Sequence, residues 1–153
     1  MKLLSAAAVL VWLGVMAFFA GVVAPAAFST LDREAAGRFV GVVFPRYYAL
    51  GAALGALALA GLGVRFVLGP RRPWDALTLV LVGVMLAATL YAWLVVLPAA
   101  HAAREALRQS ASVPGVVSTE AQAFARLHRL SGLLNGTAML AGVLVLAATG
   151  LRR

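Results

Sequence analysis

Four uncharged runs divide the chain: Leu3 to Phe28, Tyr47 to Val64, Ala76 to Ala100, and Leu130 to Leu151. About twenty helical residues, each rising ~1.5 Å, cross the hydrocarbon core of a bilayer, so each run is of spanning length. Lipid offers the backbone no partners, and runs of this kind must pair their own N–H and C=O groups as helices. The second run is the shortest. It gains length at its start, where Arg46 can snorkel to the headgroups and Tyr47 and Tyr48 suit the interface. The first run follows Lys2 in the manner of a signal peptide, but the uncharged stretch from Leu3 to Leu31 is about twice the apolar core of one, so it reads as a span. The expected fold is all-α: a single integral membrane domain over residues 1–153, built as a four-transmembrane-helix bundle.

The connections are distinct in character. Asp32 to Phe44 begins charged (Asp32, Arg33, Glu34, Arg38) and continues apolar, with Ser29 and Asp32 able to cap it and Pro45 to end it. This predicts an amphipathic helix lying along the bilayer between the first two spans. Arg65 to Trp74, with Gly69-Pro70 and Pro73, predicts a tight turn. Ala102 to Gln109 continues the third helix into water, Ser112 to Ser118 forms a loop around Pro114-Gly115, and Thr119 with Gln122 opens a helix that runs into the fourth span.

One heptapeptide occurs twice. Val22 to Phe28 reads VVAPAAF and Val95 to His101 reads VVLPAAH, identical at five of seven positions at an offset of 73 residues. Phe44-Pro45-Arg46-Tyr47-Tyr48 likewise aligns with Phe124-Ala125-Arg126-Leu127-His128 at an offset of 80. The chain thus reads as an internal repeat of two helix hairpins, parallel because two crossings separate their starts. Pro25 and Pro98 each remove one N–H, freeing the carbonyl of Gly21 or Leu94, and are expected to kink the first and third helices. A helix-ending device and a functional hinge are equally open as readings of them.

Composition strengthens the membrane assignment. Hydrophobic residues make up 63% of the chain and charged residues 12%, and the mean hydropathy is +0.98, too little polar surface to clothe a soluble globule. The net charge of +8 does not indicate nucleic acid, because the 13 Lys and Arg lie between and beside the spans rather than on one face. Anionic lipid headgroups account for it. The side bearing the termini carries Lys2, Arg65, Arg71, Arg72, Arg152 and Arg153 at high density, which places the termini in the cytoplasm. Cysteine is absent, excluding disulfides, thiolate metal sites and cysteine nucleophiles.

The fourth span carries the candidate chemistry. His128, Ser131 and Asn135 fall within an arc of roughly 60° on one helix face, and Met139 and Gly142 extend the stripe. Unpaired polar groups in hydrocarbon cost several kcal/mol, so the stripe faces into the bundle. Two accounts stay open: hydrogen-bond glue between packed helices, and a patch with Tyr47 that binds or passes a small ligand or metal. Gly51-x-x-x-Gly55 and Gly132-x-x-x-Gly136 are spaced for close helix approach. His101 ends the third span behind an apolar stripe, which suits a headgroup imidazole. It nonetheless shares a side of the membrane with His128, and two imidazoles on facing helices could ligate haem iron or copper. No carboxylate lies within a span, and there is no phosphate loop or nucleophile elbow, so no enzymatic activity is expected.

The motifs Phe44-Pro45-Arg46-Tyr47, Pro98 at the end of the third span, and Phe124, His128, Ser131 and Asn135 in the pattern F-x-x-x-H-x-x-S-x-x-x-N resemble the transmembrane protein 205-like family. That family comprises small four-span proteins with a bacterial branch described as a domain of unknown function. The resemblance implies a protein of the bacterial inner membrane without an established enzymatic activity. Eukaryotic members are associated with resistance to platinum drugs, which implies metal or drug handling. The histidine that animal members carry early in the first span is absent here, and His101 matches no family residue. Four helices enclose little room, so a complete transport path would call for a homodimer.

Overall fold

The computed structural model describes residues 2–70, 73–110 and 119–150, and all the regular structure among them is helical. Six α-helices follow in order: α1 (Lys2–Phe18), α2 (Ala24–Thr30), α3 (Arg33–Leu68), α4 (Pro73–Tyr91), α5 (Leu97–Ser110) and α6 (Thr119–Gly150). A π-helical turn, Phe19–Val23, joins α1 to α2, and a second, Ala92–Val96, joins α4 to α5. The result is four rods long and apolar enough to cross a membrane: Leu3–Thr30, Arg33–Leu68, Trp74–Gln109 and Thr119–Thr149. The protein is an integral membrane protein.

The two π-turns stand at the same offset of 73 residues as the heptapeptide, each ending two residues before its proline. In each, the N–H just ahead of the proline reaches back five residues, from Ala24 to the Phe19 carbonyl and from Leu97 to that of Ala92. A wide turn is one of the local adjustments by which a membrane helix accommodates the N–H that proline lacks.

Two expectations about the connections change. The amphipathic stretch after Asp32 is not a separate helix: α3 runs unbroken through Pro45, so this segment and the second span form one rod of 36 residues. At ~1.5 Å per residue that rod is about 54 Å long, more than a bilayer core, and its charged start projects beyond the hydrocarbon. Asp32 alone caps it, its carboxylate accepting the N–H groups of Ala35 (2.8 Å) and Glu34 (2.9 Å). Those bonds, led by that from Ala35, hold its carboxyl below the ordinary carboxylate range. The Ser29 hydroxyl instead donates back to the Ala26 carbonyl (3.1 Å). Arg65 does not begin the turn but lies in the last helical turn of α3, where it pairs with Asp75 of α4. The side chains are only 15% and 8% exposed, so a buried ion pair fastens the second rod to the third. The expected loop at residues 112–118 lies outside the described residues.

At the end bearing the termini the rods pack as a ring, α1 on α3, α3 on α4, α4 on α6 and α6 on α1. Trp12, Met16, Met85, Val9, Val82 and Val145 fill its centre and are almost wholly excluded from solvent. The Trp12 indole explains Gly51 and Gly55. A Cβ on Gly51 would stand 2.6 Å from Trp12 Nε1, and one on Gly55 2.9 Å from its ring carbons, so the pair forms a notch for an indole rather than a close backbone crossing. Gly132 and Gly136, with the same spacing, do not pack closely at all: a Cβ on either would meet nothing within 4 Å. Overfilling a packed core costs about 1–3 kcal/mol. Gly51→Ala should therefore lower the unfolding temperature in detergent by the equivalent of about 1–3 kcal/mol, whereas Gly132→Ala should leave it level or slightly raised. Equal effects at the two positions would contradict the notch.

Candidate functional site

Beyond the π-turns the rods pair off. α2 packs on α3, α5 packs on α6, and a cavity of about 350 Å³ opens between the two pairs. That volume lies at the lower end of small-molecule sites. Its wall is mostly apolar and aromatic, with Phe19, Phe28, Val40, Phe44, Val96, Leu97 and Phe124 among the lining residues.

The Phe44-Pro45-Arg46-Tyr47-Tyr48 element supplies much of that wall. Helical spacing puts Phe44, Tyr47 and Tyr48 on one face of α3, with Phe44 stacked on Tyr48 at 5.5 Å and Phe19 of the first rod 5.0 Å from Tyr47. Arg46 points the other way and donates to the carbonyl of Val42 (2.9 Å) on the exposed side.

Across the cavity floor, side chains of α3 and α6 meet. The Tyr47 hydroxyl donates to Asn135 Oδ1 at 2.6 Å, and the hydroxyls of Tyr48 and Ser131 share a hydrogen bond of 3.3 Å. The Asn135 amide donates in turn to Met139 Sδ at 3.7 Å. Three of the four residues expected to form the polar patch, Tyr47, Ser131 and Asn135, are thus brought together. Tyr48, expected only at the interface, joins them as the partner of Ser131. The i, i+1 tyrosine pair facing an i, i+4 Ser–Asn pair on a second span was its signal.

His128 lies on the cavity wall outside this network. It is exposed, stacks on Phe124 at 6.4 Å, and makes no hydrogen bond among the described residues. His101 lines the same cavity from α5, and a Cβ on Gly41 would lie 3.5 Å from its Nε2. Among the described residues no group of three His, Cys, Asp or Glu side chains gathers as metal ligands would. Arg104, one turn beyond His101 on the stretch expected to extend into water, is half-buried and a further lining residue. Its guanidinium occupies the space a Cβ on Gly37 would need, and it donates to the Glu34 carbonyl at 3.0 Å.

A family model described as "Domain of unknown function (DUF4149)" matches residues 7–109. The chain belongs to this family. No curated protein and no solved structure matches. The matched DUF4149 segment takes in the first three rods, with Tyr47, Tyr48, His101 and Arg104; Ser131 and Asn135 lie beyond it.

A buried donor or acceptor left without its partner costs about 1–3 kcal/mol. Tyr47→Phe and Asn135→Leu should each lower stability in detergent by about that much, and the double variant by clearly less than their sum. Additive losses would show that the two side chains do not act as a pair.

Proposed function

We propose that the cavity between the two rod pairs is a binding site for a small, largely apolar molecule drawn from the membrane. Tyr47, Tyr48, Ser131 and Asn135 form its polar floor, and His128 stands on its wall. One observation carries this reading. The polar patch borders open volume, where pure packing glue would be sealed against neighbouring side chains. The likeness to the transmembrane protein 205-like family points the same way, since Phe124, His128 and Asn135 all line the cavity. Passage across the membrane, as distinct from binding, would take a homodimer, because the cavity occupies one end of the rods only. We place the termini in the cytoplasm of a bacterial inner membrane on the density of Lys and Arg around them, which sets the cavity on the opposite side. Anionic headgroups would meet the arginines at both ends.

A second reading rests on His101 and His128 lining one cavity: a bis-imidazole site for copper or haem iron. It ranks below the first because both histidines are exposed and His128 is stacked on Phe124. Absence of both a Soret band and copper from protein purified out of haem- and copper-replete cells would remove it.

The first reading predicts that native mass spectrometry of protein released from its own membranes shows a small-molecule adduct. Ala100→Trp, which fills the cavity from α5, should lose that adduct while folding normally. An adduct that survives Ala100→Trp, or wild-type protein that carries none, would count against the cavity as the site.

A further inference from the structure

Among the described residues that line the cavity, Arg104 alone carries a permanent charge, and none is Asp or Glu. Arg104 is half-buried, yet it makes no ion pair among the described residues; it donates instead to a backbone carbonyl, that of Glu34. The carboxylate within reach is already engaged, since Glu34 pairs with Arg38 at 2.8 Å and with Arg108 at 3.4 Å. A guanidinium offers five N–H donors in a fork that matches carboxylate and phosphate oxygens, and a half-buried one without a counter-charge is costly. Gly37 and Gly41, one helical turn apart on α3, leave room for Arg104 and His101 to stand at the cavity wall. Phe19, Phe44 and Val96, deeper along their rods, present an apolar interior.

Resting on the binding-site reading above, we infer that the ligand is a single-chain amphiphilic anion. Its carboxylate or phosphate head pairs with Arg104 beside His101, and its apolar body lies between Phe19, Phe44 and Val96. The volume of about 350 Å³ suits one chain better than two, and the apolar wall disfavours a free inorganic ion. The cavity is therefore a site for a fatty acid-like or alkyl phosphate-like molecule.

The test is saturable binding of radiolabelled decanoate, decyl phosphate and decanol to the full chain in neutral phosphatidylcholine nanodiscs, measured against empty nanodiscs. At least one of the two anions should bind about tenfold more tightly than decanol, the scale of one charge-assisted contact, and which anion binds better identifies the headgroup. Arg104→Gln should remove that preference, Arg104→Lys should keep most of it, and Gly41→Leu, which narrows the cavity beside His101 and keeps the Arg104 charge, should weaken all three ligands. Decanol binding as tightly as both anions, with Gly41→Leu still weakening it, would overturn the anion assignment and leave the cavity as a site. Anion binding that falls in Arg104→Gln but is untouched by Gly41→Leu would overturn it too, by placing the anion at the headgroup surface. Saturable binding by none of the three would do the same.

Discussion

Hydrocarbon offers no hydrogen-bond partner, and that constraint governs how the four rods of this protein meet. The fourth span carries Ser131 and Asn135 on one face, and each finds a phenol on the second span: Tyr48 for the serine, Tyr47 for the asparagine. Residues more than eighty positions apart are thereby tied across the molecule. The tie lies where the ring of four packed rods gives way to two separate pairs, so it is at once the roof of the apolar core and the floor of the cavity.

The two halves of the molecule differ because their side chains differ in size and in what they can bond. Toward the termini, Trp12 sits in the Gly51–Gly55 notch and Leu13 and Met85 press on Gly142, so the rods are tightly packed there. The Arg65–Asp75 pair fastens the same end. Past the π-turns, small residues (Ala24, Gly37, Gly41, Ala100, Gly132) stand between the aromatic ones along the facing surfaces, and the gap stays open. Bonds that cross it at the outer end come from long side chains: Arg104 reaches the Glu34 carbonyl and Arg108 the Glu34 carboxylate. Glu34 thus joins the start of the second rod to the end of the third.

Much of this was legible in the sequence because the bilayer imposes simple rules. Uncharged runs of spanning length read directly as helices, and helical periodicity put Ser131 and Asn135 on one face, where each meets a tyrosine, whereas His128 of the same stripe is exposed. The paired prolines marked the two π-turns, although not the form the backbone would take around them. Pro45 misled, because proline within a long membrane helix is tolerated where it would end a helix in water. Gly132-x-x-x-Gly136 misled for another reason: spacing fixes which face two glycines share, and not what stands opposite. The pairing of Tyr48 with Ser131 and the position of Arg104 depend on the relative rotation of different rods, which no local pattern records.

Along α6, residues pass from the wall of an open cavity into a tightly packed core within about two helical turns. The absence of cysteine makes this change directly measurable. Single cysteines placed from Leu127 to Val145 in membrane vesicles, and exposed to a charged, water-borne maleimide, should react at His128 and Ser131, slow at Asn135, and be inert at Ala138, Ala141 and Val145. Reactivity continuing through Ala138 and Ala141, or none at His128 and Ser131, would contradict a cavity floored by the tyrosine pairs.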